Sequence, residues 1–150
     1  MPRQVIKPNH SALEQSGLKA AAWAGDSLNL REIPEAAIIH LQGFPGKEPT
    51  QYEQLGLPMA AGQCDGGSPA VLCLGPAEWL IVAEAIGAAD LQRQVTRQLA
   101  ADQAVVNDRS DGLCLFRLSG AAAPWLLNKL SCLDFQLAGQ SSAHCARTRL

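Results

Sequence analysis

Few residues of this 150-residue chain have the type and spacing to do chemistry. His144 and Cys145 are adjacent, an acid–base group beside a nucleophile. In an extended strand neighbouring side chains point to opposite faces, so the pair reads as one buried thiol and one exposed imidazole, not a dyad. Asp108 and Asp111 flank Arg109 and Ser110. Paired carboxylates can exchange protons, but Asp before Gly112 is also turn chemistry, and the turn reading prevails. Asp65-Gly66-Gly67-Ser68 has the glycines of a phosphate loop without the Lys-Ser/Thr that should follow them. His40 lies inside an apolar run with no second histidine or carboxylate at ligand spacing, which suits a hydrogen-bonded core or interface imidazole. Arg147 and Arg149 alternate in a strand-like segment and point the same way. They could meet an anion or a partner's carboxylates, though solvated edge arginines are the simpler reading. GxGxxG, GxSxG and HExxH are all missing from the sequence. No catalytic, cofactor-binding or metal-ligating residue is therefore expected in this chain.

The composition narrows the class further. Net charge is −2 and charged residues are 17% of the chain, against a usual share of about 25%. A sparse charge coat suggests that a partner covers part of the surface; a monomer rich in small residues reads equally well. No basic run argues for nucleic acid, and no apolar stretch reaches the roughly 18 residues of a membrane span. The first residues, Met1 to Gly17, carry early charges and no apolar stretch of signal-peptide type, so a cytoplasmic location is expected. Five cysteines (64, 73, 114, 132 and 145) make an odd number without CxxC spacing. They read as buried or free thiols, not a disulfide framework or zinc site.

The elements that would position these residues can be read from periodicity. Leu13, Leu18 and the Ala20–Trp23 run suit a short helix or an arm that orders against a partner. Leu28–Ile33 alternates as a strand and Pro34 stops it; Ala37–Leu41 is a second strand. A short helix fits 47–55, with Gly56 at its C′ position. Val71–Leu74 and Trp79–Ala83 form a hairpin about Gly75-Pro76. Leu91, Val95 and Leu99 mark one face of a helix over about 91–101. Val105-Val106 leads as a strand into Asp111-Gly112, a tight-turn signal. Leu113–Leu118 is again a strand, and Pro124 opens a helix with Trp125, Leu126, Leu127 and Leu130 on its apolar side. Cys145–Leu150 looks like a strand start. Trp79 belongs in the core. Trp125 suits a partner surface, because Trp is enriched at interface centres.

An internal repeat organises the list. Ile38–Gly43 (IIHLQG) matches Leu115–Gly120 (LFRLSG), 77 residues further on. The expectation is an α+β fold of two related strand–helix–hairpin–helix halves, about 28–104 and 105–150, with mostly antiparallel sheets. An arm over 1–27 precedes them. The second half is expected to be C-terminally incomplete, because its return strand and closing helix are missing.

Three segments carry a family resemblance. Leu74-Gly75-Pro76-Ala77-Glu78-Trp79-Leu80, Asp108–Gly112 with Leu115–Gly120, and His144–Leu150 (HCARTRL) resemble segments of the gamma subunit of heterotetrameric sarcosine oxidase, in the family's order. The similarity runs from about Leu28 to the last residue. It implies a fold like the folate-binding domain of the glycine-cleavage T-protein. It also implies a small, non-catalytic subunit of an oxidoreductase complex that demethylates sarcosine to glycine. In that family FAD, FMN, NAD, tetrahydrofolate and zinc belong to the larger partner subunits, so none is expected here. The family pattern continues past the T-R-L segment through a strand pair and a helix, which this sequence does not contain. Trp125, Arg147 and Arg149 are the candidate partner interface. The alternatives are a stand-alone folate-binding protein of the T-protein superfamily, which would need a carboxylate for the pterin, and a structural domain without a complex. The superfamily's iron–sulfur repair motif K-G-C-Y-x-G-Q has no match in HCARTRL.

Overall fold

A computed structural model of the chain describes residues 22–44, 52–99, 104–135 and 144–148. Among the described residues there are eight strands and two α-helices. The strands are β1 (Ala22–Ala24), β2 (Asn29–Ile33), β3 (Ala37–Gly43), β4 (Cys64–Asp65), β5 (Ala70–Gly75), β6 (Glu78–Ala83), β7 (Ala104–Asp108) and β8 (Leu115–Ser119). Helix α1 spans Ala88–Gln98 and α2 spans Ala123–Leu130. A five-stranded sheet runs β4-β5-β6-β3-β7 and a three-stranded sheet runs β1-β2-β8. Every pairing is antiparallel. The fold class is therefore α+β with antiparallel sheets, as the alternation of short strands implied.

The core sits on one face of the five-stranded sheet. Ile39 and Leu41 of β3 face Ile81 and Trp79 of β6 in register, and all four are buried. Leu91 and Val95 of α1 close over them, two members of the stripe that the four-residue spacing marks. Trp79 is fully buried, its indole N–H donating to the Pro58 carbonyl at 2.7 Å. Burying that ring without the bond would strand a donor. The helix begins three residues earlier than its apolar stripe, because Ala88, Ala89 and Asp90 form its first turn.

The halves are laced together. β2 and β3 are consecutive, yet β2 pairs with β8 and β3 pairs with β7. Each half thus gives one strand to the other's sheet. The matching strands β3 and β8 end at glycines that carry the repeat offset, Gly43 and Gly120. Both are close-packed: a Cβ on Gly43 would lie 2.4 Å from the Tyr52 hydroxyl, and one on Gly120 would lie 2.5 Å from the Ser27 carbonyl. Gly120 also has φ +110°, a backbone that side chains rarely accept. Glu84, just past β6, meets Arg117 of β8 and, at 4.0 Å, Arg31 of β2, tying the small sheet to the large one at an exposed corner.

Three expectations are corrected. Asp111-Gly112 does not turn a hairpin: β7 and β8 lie in different sheets, and a 3-10 turn (Ser110–Gly112) carries the chain between them. Trp23 is in a strand, not a helix, because the edge of β2 is free to pair with Ala22–Ala24. Its neighbours 1–21 lie outside the described residues. Residues 145–148 do not form the strand start expected over Cys145–Leu150; next to them His144 makes a single bridge to Gln63, and 149–150 lie outside the described residues. Of the helix expected over 47–55, Tyr52 and Glu53 are helical, and Gly56 ends that turn with φ +72°; 45–51 lie outside the described residues.

Candidate functional site

The face of the large sheet opposite the core floors a cleft of about 780 Å³. Strand pleating puts His40, Leu80 and Leu72 there, since they alternate with the core positions. One wall is the β7–β8 connection, with Arg109, Leu113 and Cys114, and the other is the segment Cys145–Thr148. Glu78 and Leu74 complete the lining from the β5–β6 hairpin. The three segments that carry the family resemblance are far apart in sequence and meet at this cleft.

Each wall is fixed by backbone bonding. The Arg109 amide donates to the Ile38 carbonyl at 2.8 Å, and the Ile38 amide donates to Ser110 Oγ at 2.9 Å. Ser110 Oγ and its own amide donate to Asp108 Oδ1, at 2.6 and 2.9 Å. The DRSDG stretch is thus an Asp-centred turn clipped to β3, which confirms its reading as turn chemistry rather than a carboxylate pair. Across the cleft the Cys145 amide donates to the Gly62 carbonyl at 2.9 Å. Its thiol lies 3.3 Å from the carbonyls of Gln63 and Cys73. Thr148 Oγ1 and Ser131 Oγ, at 3.1 Å, fasten the far end of this segment beyond α2. Residues 144–148 form a strap from the edge of the large sheet to the end of that helix.

One polar cluster lies in the cleft. Glu78 Oε1 is 3.1 Å from His40 Nε2 and accepts from Arg147 Nη2 at 2.8 Å. The bond from Arg147 holds the Glu78 carboxyl below its ordinary range; partial burial opposes this and the His40 bond supports it. With Glu78 ionised, His40 Nε2 is the donor, an assignment from the bonding pattern. His40 Nδ1 is buried and has no hydrogen-bond partner. One ring nitrogen is engaged and the other is closed off, so this imidazole positions Glu78 and is not placed to relay protons. It is the hydrogen-bonded histidine that its apolar surroundings implied.

The other sequence candidates sort as follows. Cys145 is half-buried and His144 exposed. Burial, and then the nearby Cys64 and Cys73, push the Cys145 thiol up, which makes it a poor nucleophile. All five cysteines are free. Asp65 Oδ1 accepts from the Gly67 amide at 3.1 Å, so a carboxylate fills the loop that superficially suits phosphate. Among the described residues no group of three His, Cys, Asp or Glu could hold a metal. Arg147 is not simply solvated: it pairs inside the chain with Glu78. Trp125 lies on α2, 60% exposed, with the Lys129 ammonium 5.9 Å from its ring centroid. Arg149 lies outside the described residues. Sequence reasoning passed over Glu78 and Arg109. Glu78 could have been found, since it alternates with Leu80 and Val82 and so shares a face with His40's neighbours.

These features define a class first: an α+β chain of strand-exchanged halves whose large sheet floors a cleft bounded by a bonded turn, a strap and an internal ion-pair cluster. A particular likeness follows. A chain of the heterotetrameric sarcosine oxidase from Corynebacterium sp. U-96, solved in complex with pyrrole 2-carboxylate, superposes with a TM-score of 0.73 at 28% identity. The match covers 94% of this chain and 76% of that one. No protein-family model and no curated protein matches the chain. The resemblance to sarcosine oxidase thus extends from three short segments to nearly the whole backbone.

Proposed function

We propose that this chain is the small, gamma-type subunit of a sarcosine-oxidase-type complex in the cytoplasm, and that its role there is structural. One observation carries the reading: the apolar surface of the second half is uncovered. Among the described residues the buried hydrophobics all fall between Ala36 and Val95, and none lies in β8 or α2. Trp125, Leu130, Leu113 and Phe116 are instead between 44% and 60% exposed. Two strands, β2 and β8, and an eight-residue helix without one buried side chain gain little from packing among themselves. A large subunit laid over α2 and β8 would supply the missing cover, and a Trp at the centre of that patch suits an interface. FAD, FMN, NAD, tetrahydrofolate and zinc would reside in the larger subunits, which would perform the demethylation. The rival reading, a folate-binding protein acting alone, fits the cleft less well. Its carboxylate, Glu78, is already committed to Arg147 and His40. Among the described residues no helix is long and apolar enough to cross a membrane.

Co-expression with the larger subunits of such a complex tests the proposal. The chain is expected to co-elute with them on size exclusion, and its omission should lower the yield of assembled enzyme. Separate elution, with a complex fully assembled and active without it, would overturn the reading.

A further inference from the structure

The cleft is more than a by-product of packing, and its chemistry selects a ligand class. Its floor is leucine, from Leu72, Leu74 and Leu80, and Leu113 stands on the wall. Its volume, about 780 Å³, falls in the range of small-molecule pockets, roughly 300–1,000 Å³. Charge stands on the walls and at the β5–β6 hairpin, with Arg109 on one wall and Arg147 on the other. Glu78 is matched by Arg147. Arg109 has no carboxylate partner among the described residues, although its backbone is fixed on both sides by the bonds to Ile38 and the Asp108 turn. Arg147 also commits a single N–H to Glu78, of the five a guanidinium owns. The cleft's carboxylate and guanidinium side chains, Glu78, Arg147 and Arg109, sum to one positive charge beside an apolar floor. Sugars and nucleotides would find too few polar groups, and an amine would find its only carboxylate occupied.

We propose that this cleft binds a small amphiphilic monoanion, a carboxylate with an apolar body, its head on Arg109 and its body along the leucine floor. The geometry of the cleft alone supports this, independently of whether the chain scaffolds a larger complex. Octanoate is a suitable probe, with n-octanol as the neutral control and octylamine as the cationic one, titrated by calorimetry into the full chain and into any co-purified assembly. Octanoate is expected to bind at least tenfold more tightly than octanol, and octylamine not to bind. Arg109→Gln should weaken octanoate about tenfold, which corresponds to about 1.4 kcal/mol, and leave octanol unchanged. Leu113→Ala, on an exposed wall residue that the fold does not need, should weaken both probes alike. Equal binding of octanoate and octanol, no effect of Arg109→Gln in a protein with unaltered circular dichroism, or no octanoate binding by folded protein would each overturn the proposal. Assembly with larger subunits should be unaffected by Arg109→Gln, so loss of ligand binding and loss of assembly are separable results.

Discussion

Glu78 shows how much one side chain can organise. It receives His40 from the neighbouring strand and Arg147 from a strap 69 residues further along the chain. Its carboxyl is held low, chiefly by Arg147. A carboxyl whose folded value lies below its unfolded one, about 4.3, stabilises the fold above that unfolded value. The contribution is lost as pH falls through the lower, folded value. Wild type and Glu78→Gln should therefore differ in urea midpoint at pH 7 and converge as the pH is taken below about 4. Midpoints that stay equally far apart at acid pH would show that the carboxylate is not what anchors the strap. The thiols give a second residue-scale expectation. Burial pushes both Cys64 and Cys145 up, Cys64 with help from Asp65 and Cys145 with help from its neighbouring thiols. Cys114 and Cys132 are exposed, and Cys73 is buried. Because the thiolate is the reactive form, an aromatic disulfide reagent at pH 8 should modify Cys114 and Cys132 first, Cys64 and Cys145 slowly, and Cys73 only on unfolding. Peptide mapping of the early product checks the order.

At the scale of elements, the two repeat glycines mark where strands must pass other backbone closely. A methyl on Gly43 would collide with the Tyr52 ring, itself packed at a 47° tilt against Trp79 with centroids 5.1 Å apart, so the strain would enter the core. At Gly120 the obstacle is the Ser27 carbonyl and the backbone is already left-handed. Gly43→Ala and Gly120→Ala should each destabilise by about 1–3 kcal/mol, in the range of overpacking and positive-φ penalties. Gly87→Ala, where nothing lies within 4 Å of the new methyl, is the control and should be near neutral. Urea denaturation distinguishes the three. These strands were legible in the sequence because alternation, proline stops and the 77-residue repeat act locally. Their partners were not. β2 and β7 both offer short half-apolar edges, and nothing in their periodicity says that each crosses to the other half's sheet. The Asp111-Gly112 pair misled for the same reason: its turn chemistry is real, but a turn residue does not determine which strand comes next to which. The cleft was half legible. The resemblance singled out all three of its bounding segments, whereas the Arg147–Glu78 and Ser110–Ile38 bonds depend on tertiary placement and leave no local mark.

At the scale of the molecule, strand exchange makes the halves thermodynamically inseparable. Removing 105–150 would take β7 from the edge of β3 and β8 from the edge of β2. The five-stranded sheet would keep its hairpin and α1, but β3 would expose the whole ladder that now pairs Ile39 to Asp108 through Gly43 to Ala104. An open, apolar strand edge invites intermolecular pairing. The second half is worse placed, since none of its β8 or α2 residues is buried even in the intact chain. A fragment ending at residue 104 should therefore aggregate or stay without fixed tertiary packing. Co-expression of 28–104 with 105–150 should restore a soluble pair, because the break leaves β2, β3 and β8 whole and takes only Ala104 from β7, so both exchanged pairings can re-form. Near-ultraviolet circular dichroism reports the outcome through Trp79, whose ring is locked against Tyr52 and Pro58 only when the core is closed. If 28–104 alone gives that signal and unfolds in one sharp transition, the exchanged strands contribute little, and the halves are independent units that happen to touch. If only the pair gives it, the two halves share one cooperative fold. The exposed side of α2 and β8 is then held in position by the core of the first half while remaining free to meet a partner.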